Sequence, residues 1–207
     1  MTIEETVWQV FEKAVQRFNV SNDRQTLLCP RREISQVSDD ANAASERAIT
    51  HRLAFYLEDE LRKVGVINDA GPLVVDCEYN RHIAAGKSLA AIAENEIRDI
   101  VMAARRNSLV ANDDGFYVFS VAPDIVVHQR HTEVNNLLVV EIKKRSNPET
   151  EKYDDLKLKL FTKPKEGEIG YGYRNGAWVV AEDKITPNKR RLRICKRFEN
   201  GVGKDLS

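Results

Sequence analysis

The sequence contains little cysteine, and its cysteines are not spaced to build a scaffold. Cys29, Cys77 and Cys195 are widely separated, odd in number and without a C-x-x-C pair. Disulfide-rich domains need an even set of cysteines and zinc knuckles need closely spaced pairs, so the pattern argues against both classes. Free thiols persist where the environment is reducing, and we therefore predict a cytoplasmic protein.

The sequence also lacks a long apolar run and a net charge. No apolar stretch approaches the about 18–20 residues that a membrane span requires. The acidic, amphipathic start MTIEETVWQVFEKAV does not resemble a secretory signal. The 32 lysines and arginines balance the 32 aspartates and glutamates. Any anionic partner must therefore be held by local positive patches.

The sequence has no internal repeat and no low-complexity tract. With 207 residues and 42% hydrophobic content, it is typical of one globular domain with a sizeable core. We predict a single domain with three parts. They are an N-terminal helix and connector over 1–43, a core over 44–183, and a basic C-terminal strand and tail over 184–207.

Hydrophobic periodicity predicts an α/β layered domain. The helical period covers residues 2–19, 45–64, 88–107 and 151–162, whereas a connector with little regular structure is predicted over 20–43. Runs rich in β-branched or alternating residues predict strands at 73–80, 116–121, 125–128 and 137–142. Two more strand-like runs flank an Asn-Gly turn at 175–176, and an edge strand is predicted within 190–199.

Charged residues lie at the open end of a predicted hairpin. Strands 125–128 and 137–142 are joined by the polar stretch QRHTEVNN. If the turn centres on the middle of that stretch, residues whose numbers sum to 265 face each other. Asp124 then lies opposite Glu141, with Cβ atoms about 5 Å apart. Lys143, two residues after Glu141, projects from the same face of the strand.

The facing carboxylates of Asp124 and Glu141 predict a metal site, because both stay ionised only if a cation neutralises them. Oxygen ligands suit Mg²⁺ or Mn²⁺. Such an ion acidifies a bound water and stabilises charge on a phosphate, and Lys143 would orient or deprotonate that water. Glu46 extends the apolar stripe of the preceding helix and is a further candidate ligand, with Glu78 as its substitute.

Each of these residues also has a structural interpretation. Asp124 follows a proline and could open a strand as a turn residue. Glu141 and Lys143 could form an exposed edge pair, although Leu137–Ile142 is too continuously apolar for an exposed strand end. Glu46 could be a first-turn glutamate that favours the helix dipole.

The motif resembles that of the PD-(D/E)XK nuclease superfamily. Pro-Asp at 123–124 is followed by sixteen residues and then by Glu-Ile-Lys at 141–143. The flanking segments SERAITHRLAFYLE, VDCEYNR, NNLLVVEIKK and DDLKLKLFT are similar to those of a group of bacterial nuclease-like proteins. The resemblance covers about residues 44–163. It implies a restriction-endonuclease-like core, in which a central mixed sheet is flanked by helices.

The resemblance also implies a role for each site residue. Asp124 and Glu141 would be catalytic metal ligands, and Glu46 would be a metal-associated residue on the first core helix. The carbonyl oxygen of Ile142 would complete the metal shell. Lys143 would be the catalytic lysine.

Five basic residues are candidates for contacts to nucleic acid: Arg81, Lys144, Lys157, Arg190 and Arg191. Arg81 would contact a phosphate or form a strand-end salt bridge. Lys157 resembles a basic position on the second helix of the family, where it would touch the scissile phosphate or brace Glu141; a solvated helix face is the alternative. Arg190 and Arg191 lie in a run over 184–197 with seven lysines or arginines and no acid. This run would contact the nucleic-acid backbone, although a solvated edge strand protected by its charge would also explain it.

These observations predict a metal-dependent nuclease that hydrolyses phosphodiester bonds, with DNA favoured over RNA as the substrate. An RNA-cleaving nuclease and a non-catalytic nucleic-acid-binding or scaffold member of the same fold are the alternatives. The sequence shows no separate DNA-reading motif. Specificity would therefore come from a homodimer or from a partner protein.

Overall fold

The computed structural model describes residues 1–28, 44–78, 88–92, 99–100, 116–132, 134–145, 151–165, 170–183 and 189–206. For 88–92 and 116–120 it describes the backbone alone. The helices are α1 (Ile3–Val20), α2 (Asn22–Leu28), α3 (Glu46–Lys63) and α4 (Glu151–Thr162). The strands are β1 (Leu73–Cys77), β2 (Ser88–Ile92), β3 (Phe116–Ser120), β4 (Ile125–Gln129), β5 (Leu138–Lys144), β6 (Asn175–Ala181), β7 (Leu192–Glu199) and β8 (Val202–Asp205).

Within the described residues, six strands form one mixed sheet in the order β1-β4-β5-β6-β7-β8. β5 and β6 are parallel, and every other neighbouring pair in this sheet is antiparallel. The parallel connection is made by α4, as expected for strands that a tight turn cannot join. β2 and β3 form a separate antiparallel ribbon. The predicted α/β class is thus confirmed.

Helices cover both faces of the six-stranded sheet, and the strand residues alternate between two cores. Ile125, Val127 and Val140 belong to the core shared with α1, α2 and α3. Val126 and Val139 belong to the core shared with α4. Successive side chains of a strand point to opposite faces, so the near-continuous apolar runs of β4 and β5 reflect burial on both sides.

Local sequence signals explain where the helices begin. Thr2 and Glu5 form a capping box at the start of α1. Ser45 caps α3, with its side chain accepting a hydrogen bond from the Ala48 N–H at 3.2 Å. α1, α3 and α4 match the predicted helices to within two residues. None of the helices in the described ranges is long and apolar enough to cross a bilayer.

The helix predicted over 88–107 is wrong at its start. Residues 88–92 form β2, which pairs with β3 from Ser88↔Ser120 to Ile92↔Phe116. Alanine and leucine favour helix, but by less than about 1 kcal/mol per residue, and pairing with a neighbouring strand overrides that preference over five residues. Residues 99 and 100 are helical, and the rest of this prediction lies outside the described residues.

Three further predictions are corrected. The connector predicted over 20–43 begins with α2, which buries Leu28 against α1 and α3. The Asn-Gly turn is wrong, because Asn175 and Gly176 start β6; a Cβ on Gly176 would come within 2.9 Å of a Thr162 methyl, so close packing explains the glycine. The edge strand is also misplaced, because β7 lies between β6 and β8.

Candidate active site

The hairpin of β4 and β5 positions the first carboxylate. Ile125 pairs with Val140, so the predicted register with a sum of 265 is confirmed, and Asp124 lies directly before β4 at the level of Glu141. Asp124 Oδ2 accepts a hydrogen bond from the Ile142 N–H at 2.6 Å. Its backbone carbonyl accepts a second from the Glu78 N–H at 3.1 Å. Asp124 is therefore fixed to the strands on both sides of it.

The second carboxylate, Glu141, is buried in the middle of β5. Glu141 is 2% exposed, and its Oε2 accepts a hydrogen bond from Lys157 Nζ at 2.6 Å. The other oxygen, Oε1, is buried without a hydrogen-bond partner in the described part of the chain. Such an oxygen costs free energy unless a donor or a cation satisfies it.

Lys157 and Asp154 brace Glu141 from α4. Lys157 Nζ lies 2.9 Å from Asp154 Oδ1, and Asp154 is 1% exposed. Residues three apart on a helix are neighbours on its surface, so both face the sheet together. Of the functions considered for Lys157, the structure supports the bracing of Glu141.

Lys143 lies between two acidic groups. Its Nζ is 3.4 Å from Glu46 Oε2 and 3.7 Å from Asp154 Oδ2, and its side chain is 21% exposed. Burial lowers the pKa of Lys143, but the charges of Asp154 and Glu46 outweigh burial and raise it. Glu46 is the first residue of α3, and its Oε1 accepts a hydrogen bond from the Lys144 N–H at 3.0 Å.

Electrostatics disfavour the simultaneous ionisation of both carboxylates. Burial raises the pKa of Asp124 to about 6, against the lowering effects of the Ile142 N–H and of nearby lysines. Burial also raises the pKa of Glu141 well above its usual range; Lys157 opposes this shift and Asp124 adds to it. Burial lowers the pKa of Lys157, but Glu141 and Asp154 outweigh burial and raise it. With a charged Lys157 in place, ionising both carboxylates calls for further positive charge.

Of the four carboxylates predicted as metal ligands, two lie together and two have other partners. Asp124 and Glu141 are at one level of the hairpin, and the orphaned Oε1 of Glu141 fits a cation. Glu46 instead engages Lys143 and the Lys144 N–H. Its proposed substitute Glu78 is in an ion pair with Arg47 at 2.6 Å. Among the described residues, no group of three or more histidine, cysteine, aspartate or glutamate side chains is placed to hold a metal.

The donor set that fits a metal is therefore two carboxylates with a main-chain oxygen. The carbonyl of Ile142, predicted as a ligand, lies between Glu141 and Lys143 in β5. Hard oxygen donors of this kind suit Mg²⁺ or Mn²⁺, which retain several waters. Glu46 as a direct ligand stays a prediction.

The residues predicted to contact nucleic acid do not form one group. Lys144 is directed away from Lys143; its Nζ lies 3.2 Å from the Ala44 carbonyl oxygen and 3.6 Å from Asp183 Oδ2. Its side chain is only 14% exposed. Arg81 lies outside the described residues.

The two C-terminal arginines among these candidates have different partners. Arg190 Nη1 donates a hydrogen bond to the Leu28 carbonyl at 2.9 Å. Arg191 is 59% exposed, and its Nε lies 3.2 Å from Glu182 Oε2. Arg191 therefore offers more surface than Arg190 for contact with an anion.

Sequence reasoning missed Asp154, which contacts both lysines of the site. A signal was present, because Tyr153, Asp154, Lys157, Leu158 and Phe161 are all buried on α4. These positions share one helical face. Two ionisable residues inside an apolar stripe indicate a buried ion pair, since isolated buried charges are avoided.

Asp76 on β1 belongs to a separate cluster of paired charges. His128 Nε2 lies 3.0 Å from Asp76 Oδ2, and Arg130 Nε donates a hydrogen bond to the same oxygen at 2.8 Å. Burial raises the pKa of Asp76, but the bonds from Arg130 and His128 outweigh it and hold the pKa well below its usual range. Asp76 thus forms a salt bridge across the β1–β4 pair.

The described site thus combines two carboxylates, one of them with an unsatisfied buried oxygen, and two lysines held by acidic partners. Oxygen donors of this kind would suit a hard cation, with the ammonium group of Lys143 beside it. Comparisons with known proteins found no matching protein-family model, no matching curated protein and no matching solved structure.

Proposed function

We propose that this chain is a metal-dependent nuclease that hydrolyses phosphodiester bonds, with DNA as its substrate. The observation that carries the proposal is Glu141, a fully buried carboxylate with one oxygen unpartnered among the described residues, at the level of Asp124. A buried carboxylate oxygen without a partner destabilises the fold, so its presence indicates that a ligand satisfies it. A bound cation would satisfy the oxygen and let both carboxylates ionise.

The residues would divide the work as follows. Asp124, Glu141 and the Ile142 carbonyl would hold Mg²⁺ or Mn²⁺. When bound, such an ion neutralises charge on phosphate oxygens and makes water more acidic. Lys143, 21% exposed beside the carboxylates, would orient the attacking water or neutralise charge that develops on the phosphate. Lys157 would keep Glu141 in position through their 2.6 Å hydrogen bond.

The order of elements around the site supports the proposed family likeness. α3 is followed by the antiparallel strands β1, β4 and β5, then by α4 and by β6, which is parallel to β5. This is the helix, three strands, helix and strand arrangement that the PD-(D/E)XK resemblance implies. We propose on this basis that the core is restriction-endonuclease-like.

Cleavage assays with and without metal test the proposal. Plasmid, linear duplex, single-stranded DNA and RNA would be incubated with Mg²⁺, with Mn²⁺ or with EDTA. We expect cutting that EDTA abolishes and that Asp124→Asn or Lys143→Ala each reduces by about a hundredfold or more.

Control substitutions at exposed residues distinguish loss of catalytic groups from loss of folding in that assay. Asp69 is 94% exposed and Lys159 is 50% exposed on the outer side of α4. Asp69→Asn and Lys159→Ala are expected to leave cutting unchanged. Cutting that survives EDTA, or that survives loss of Asp124 or Lys143, contradicts the proposed mechanism.

One observation favours a second candidate, a non-catalytic nucleic-acid-binding protein of the same fold. Both oxygens of Glu46 are occupied by Lys143 and by the Lys144 N–H, which leaves two carboxylates at the site. This candidate predicts binding of nucleic acid in EDTA together with no cutting in either metal. A measurement of nucleic-acid binding in EDTA, made beside these incubations, therefore distinguishes the two functions.

A further inference from the structure

A groove of about 730 Å³ opens on the sheet beside Lys143. Its floor includes Trp178, Val180 and Cys195 of β6 and β7, and Arg145 and Arg193 lie along it. Lys143 is paired with Val180 across the parallel ladder. The groove is therefore continuous with the proposed active site.

Three arginines surround one buried carboxylate beside this groove, and two of them, Arg145 and Arg193, line it. Glu182 Oε1 lies 3.5 Å from Arg145 Nη1 and 3.2 Å from Arg193 Nε, and its Oε2 lies 3.2 Å from Arg191 Nε. The Glu182 side chain is 8% exposed, whereas those of Arg145, Arg191 and Arg193 are 54%, 59% and 43% exposed. We name Arg145, Arg191 and Arg193 the arginine cluster.

The arginine cluster is held in place by the backbone. The Arg145 N–H donates to the Ala181 carbonyl at 3.0 Å, and the Arg191 carbonyl accepts from the Glu182 N–H at 2.8 Å. Arg193 is inside β7 and pairs with Val180. The backbone positions of the three arginines are thus fixed, and Glu182 draws their guanidinium groups toward one point, which lowers the entropy cost of binding.

Charge is left over in the arginine cluster. Among the described residues, Arg145, Arg191 and Arg193 share the single carboxylate of Glu182. Glu151 and Asp205 also line the groove, but its described basic side chains outnumber them: Lys143, Lys144, Arg145, Arg193 and Lys196. The described surface is therefore locally positive in a chain whose net charge is zero. Guanidinium groups match phosphate oxygens in geometry and bind them in a bidentate manner. The surface therefore suits a phosphate-bearing polyanion.

The distance from the candidate site fits one nucleic-acid strand. Arg145 is four residues beyond Glu141 along β5, which corresponds to about 13 Å at the rise of a strand. One strand of a duplex carries a phosphate about every 3.4 Å along the axis. The arginine cluster is thus within a few nucleotides of the candidate site.

We propose that the arginine cluster binds the phosphodiester backbone of the strand being cut, on one side of the cleaved bond, through the groove beside Lys143. This inference rests on the proposed nuclease function. It assigns the contact to Arg145, Arg191 and Arg193, which Glu182 holds together as a positioning residue, and not to Lys144 or Arg190.

Binding without cutting tests the proposal. Fluorescence anisotropy of a labelled 20-nucleotide DNA, single-stranded and duplex, would be measured in EDTA over a range of salt concentrations. The variant Arg191→Ala/Arg193→Ala leaves Arg145 to pair with Glu182, so no buried carboxylate is stranded. We expect its affinity at about 0.1 M salt to fall on the order of tenfold, and the salt dependence, log K against log salt, to be shallower by about 2.

The matched control removes two arginines elsewhere. Arg62 and Arg174 are 43% and 67% exposed and each pairs with a carboxylate; Arg62→Ala/Arg174→Ala therefore changes the net charge equally. Parent-like binding by the control, with thermal unfolding of both variants close to that of the parent, supports the proposal. Equal binding by both variants, or no binding by the parent, overturns it.

The outcomes for the two proposals are separable. If the Arg191→Ala/Arg193→Ala variant binds weakly but the parent cuts no substrate with Mg²⁺ or Mn²⁺, the arginine cluster stands and the nuclease proposal fails. If the parent cuts and the double variant binds like the parent, the nuclease proposal stands and the arginine cluster fails.

Discussion

The buried ammonium of Lys157 offers the sharpest test of the site's electrostatics. Lys157→Met replaces the side chain with an unbranched apolar one of similar length and removes the charge. Glu141 and Asp154, 2% and 1% exposed, then lose the cation that lies 2.6 Å and 2.9 Å from their oxygens. Removing one partner of a buried ion pair costs about 3–5 kcal/mol, and we expect a loss of that size at pH 8.

The stability lost in Lys157→Met depends on pH, and the shifted pKa of Glu141 determines the direction of that dependence. The folded-state pKa of Glu141 is raised above its unfolded value. Its contribution to stability is therefore fully present below about pH 4.3, its unfolded pKa, and is lost as the pH rises through the folded pKa. Without Lys157 that folded pKa rises further, because an attraction for the ionised form is gone. The deficit of the variant then shrinks on acidification by up to about 1.4 kcal/mol per pH unit.

Urea unfolding at pH 8 and pH 5.5 measures both effects through the midpoint and the slope. The control is Lys159→Met on the same helix, which removes a 50% exposed lysine paired with Asp155; we expect a change within about 0.5 kcal/mol. Adding Glu141→Gln to Lys157→Met should restore part of the stability, since the stranded charge is gone. The reasoning is refuted if Lys157→Met stays within about 1 kcal/mol of the control at pH 8, or if its deficit does not vary with pH.

Three further predictions concern a second buried carboxylate, the candidate metal site and two glycines. Lys13 and Lys63 hold the pKa of Glu60 at about 2, so its stabilising contribution is present above about pH 4.3 and disappears as the pH falls through 2; Glu60→Gln should lower the urea midpoint at pH 7 and match the parent near pH 2. Mn²⁺ at about a hundred times its Kd should stabilise the parent by about 2.7 kcal/mol in a thermal-shift assay and leave Asp124→Asn unaffected; an equal shift in both would place the ion elsewhere. Gly170 has φ +80°, and an added Cβ would lie 2.5 Å from the Lys163 carbonyl oxygen, whereas Gly65 has φ +73° and open space. Gly170→Ala should therefore cost more in chemical denaturation than the about 1–2 kcal/mol of backbone strain expected for Gly65→Ala.

Much of the site could be predicted because its residues are local in sequence. The hairpin register follows from a short polar turn between two apolar runs, and Ile125↔Val140 bears it out. Strand period then puts Glu141 and Lys143 on one face. Helical period likewise predicts α3 over 45–64, within one residue of its observed bounds at each end. None of these steps needed knowledge of long-range packing.

The rest depends on contacts between distant segments. Glu46 is 98 residues from Lys144 in sequence, and the bond between them follows from how α3 packs on β5. Arg145 and Glu182 are 37 residues apart in sequence, and they form an ion pair because β5 and β6 are parallel neighbours. The strand at 88–92 was missed for a similar reason, since its partner at 116–120 lies beyond any local pattern.

The bond between Asp124 and Ile142 has a consequence for how the hairpin ends. The backbone ladder between β4 and β5 stops at Ile125↔Val140, while β5 continues to Lys144. The carboxylate of Asp124 accepts a hydrogen bond from the N–H of Ile142 at 2.6 Å, so a titratable side chain continues the ladder where backbone pairing ends. This hydrogen bond is a spectroscopic reporter. The amide proton resonance of Ile142 senses the charge on Asp124 directly, and it would register protonation of Asp124 or binding of a cation there without any substrate.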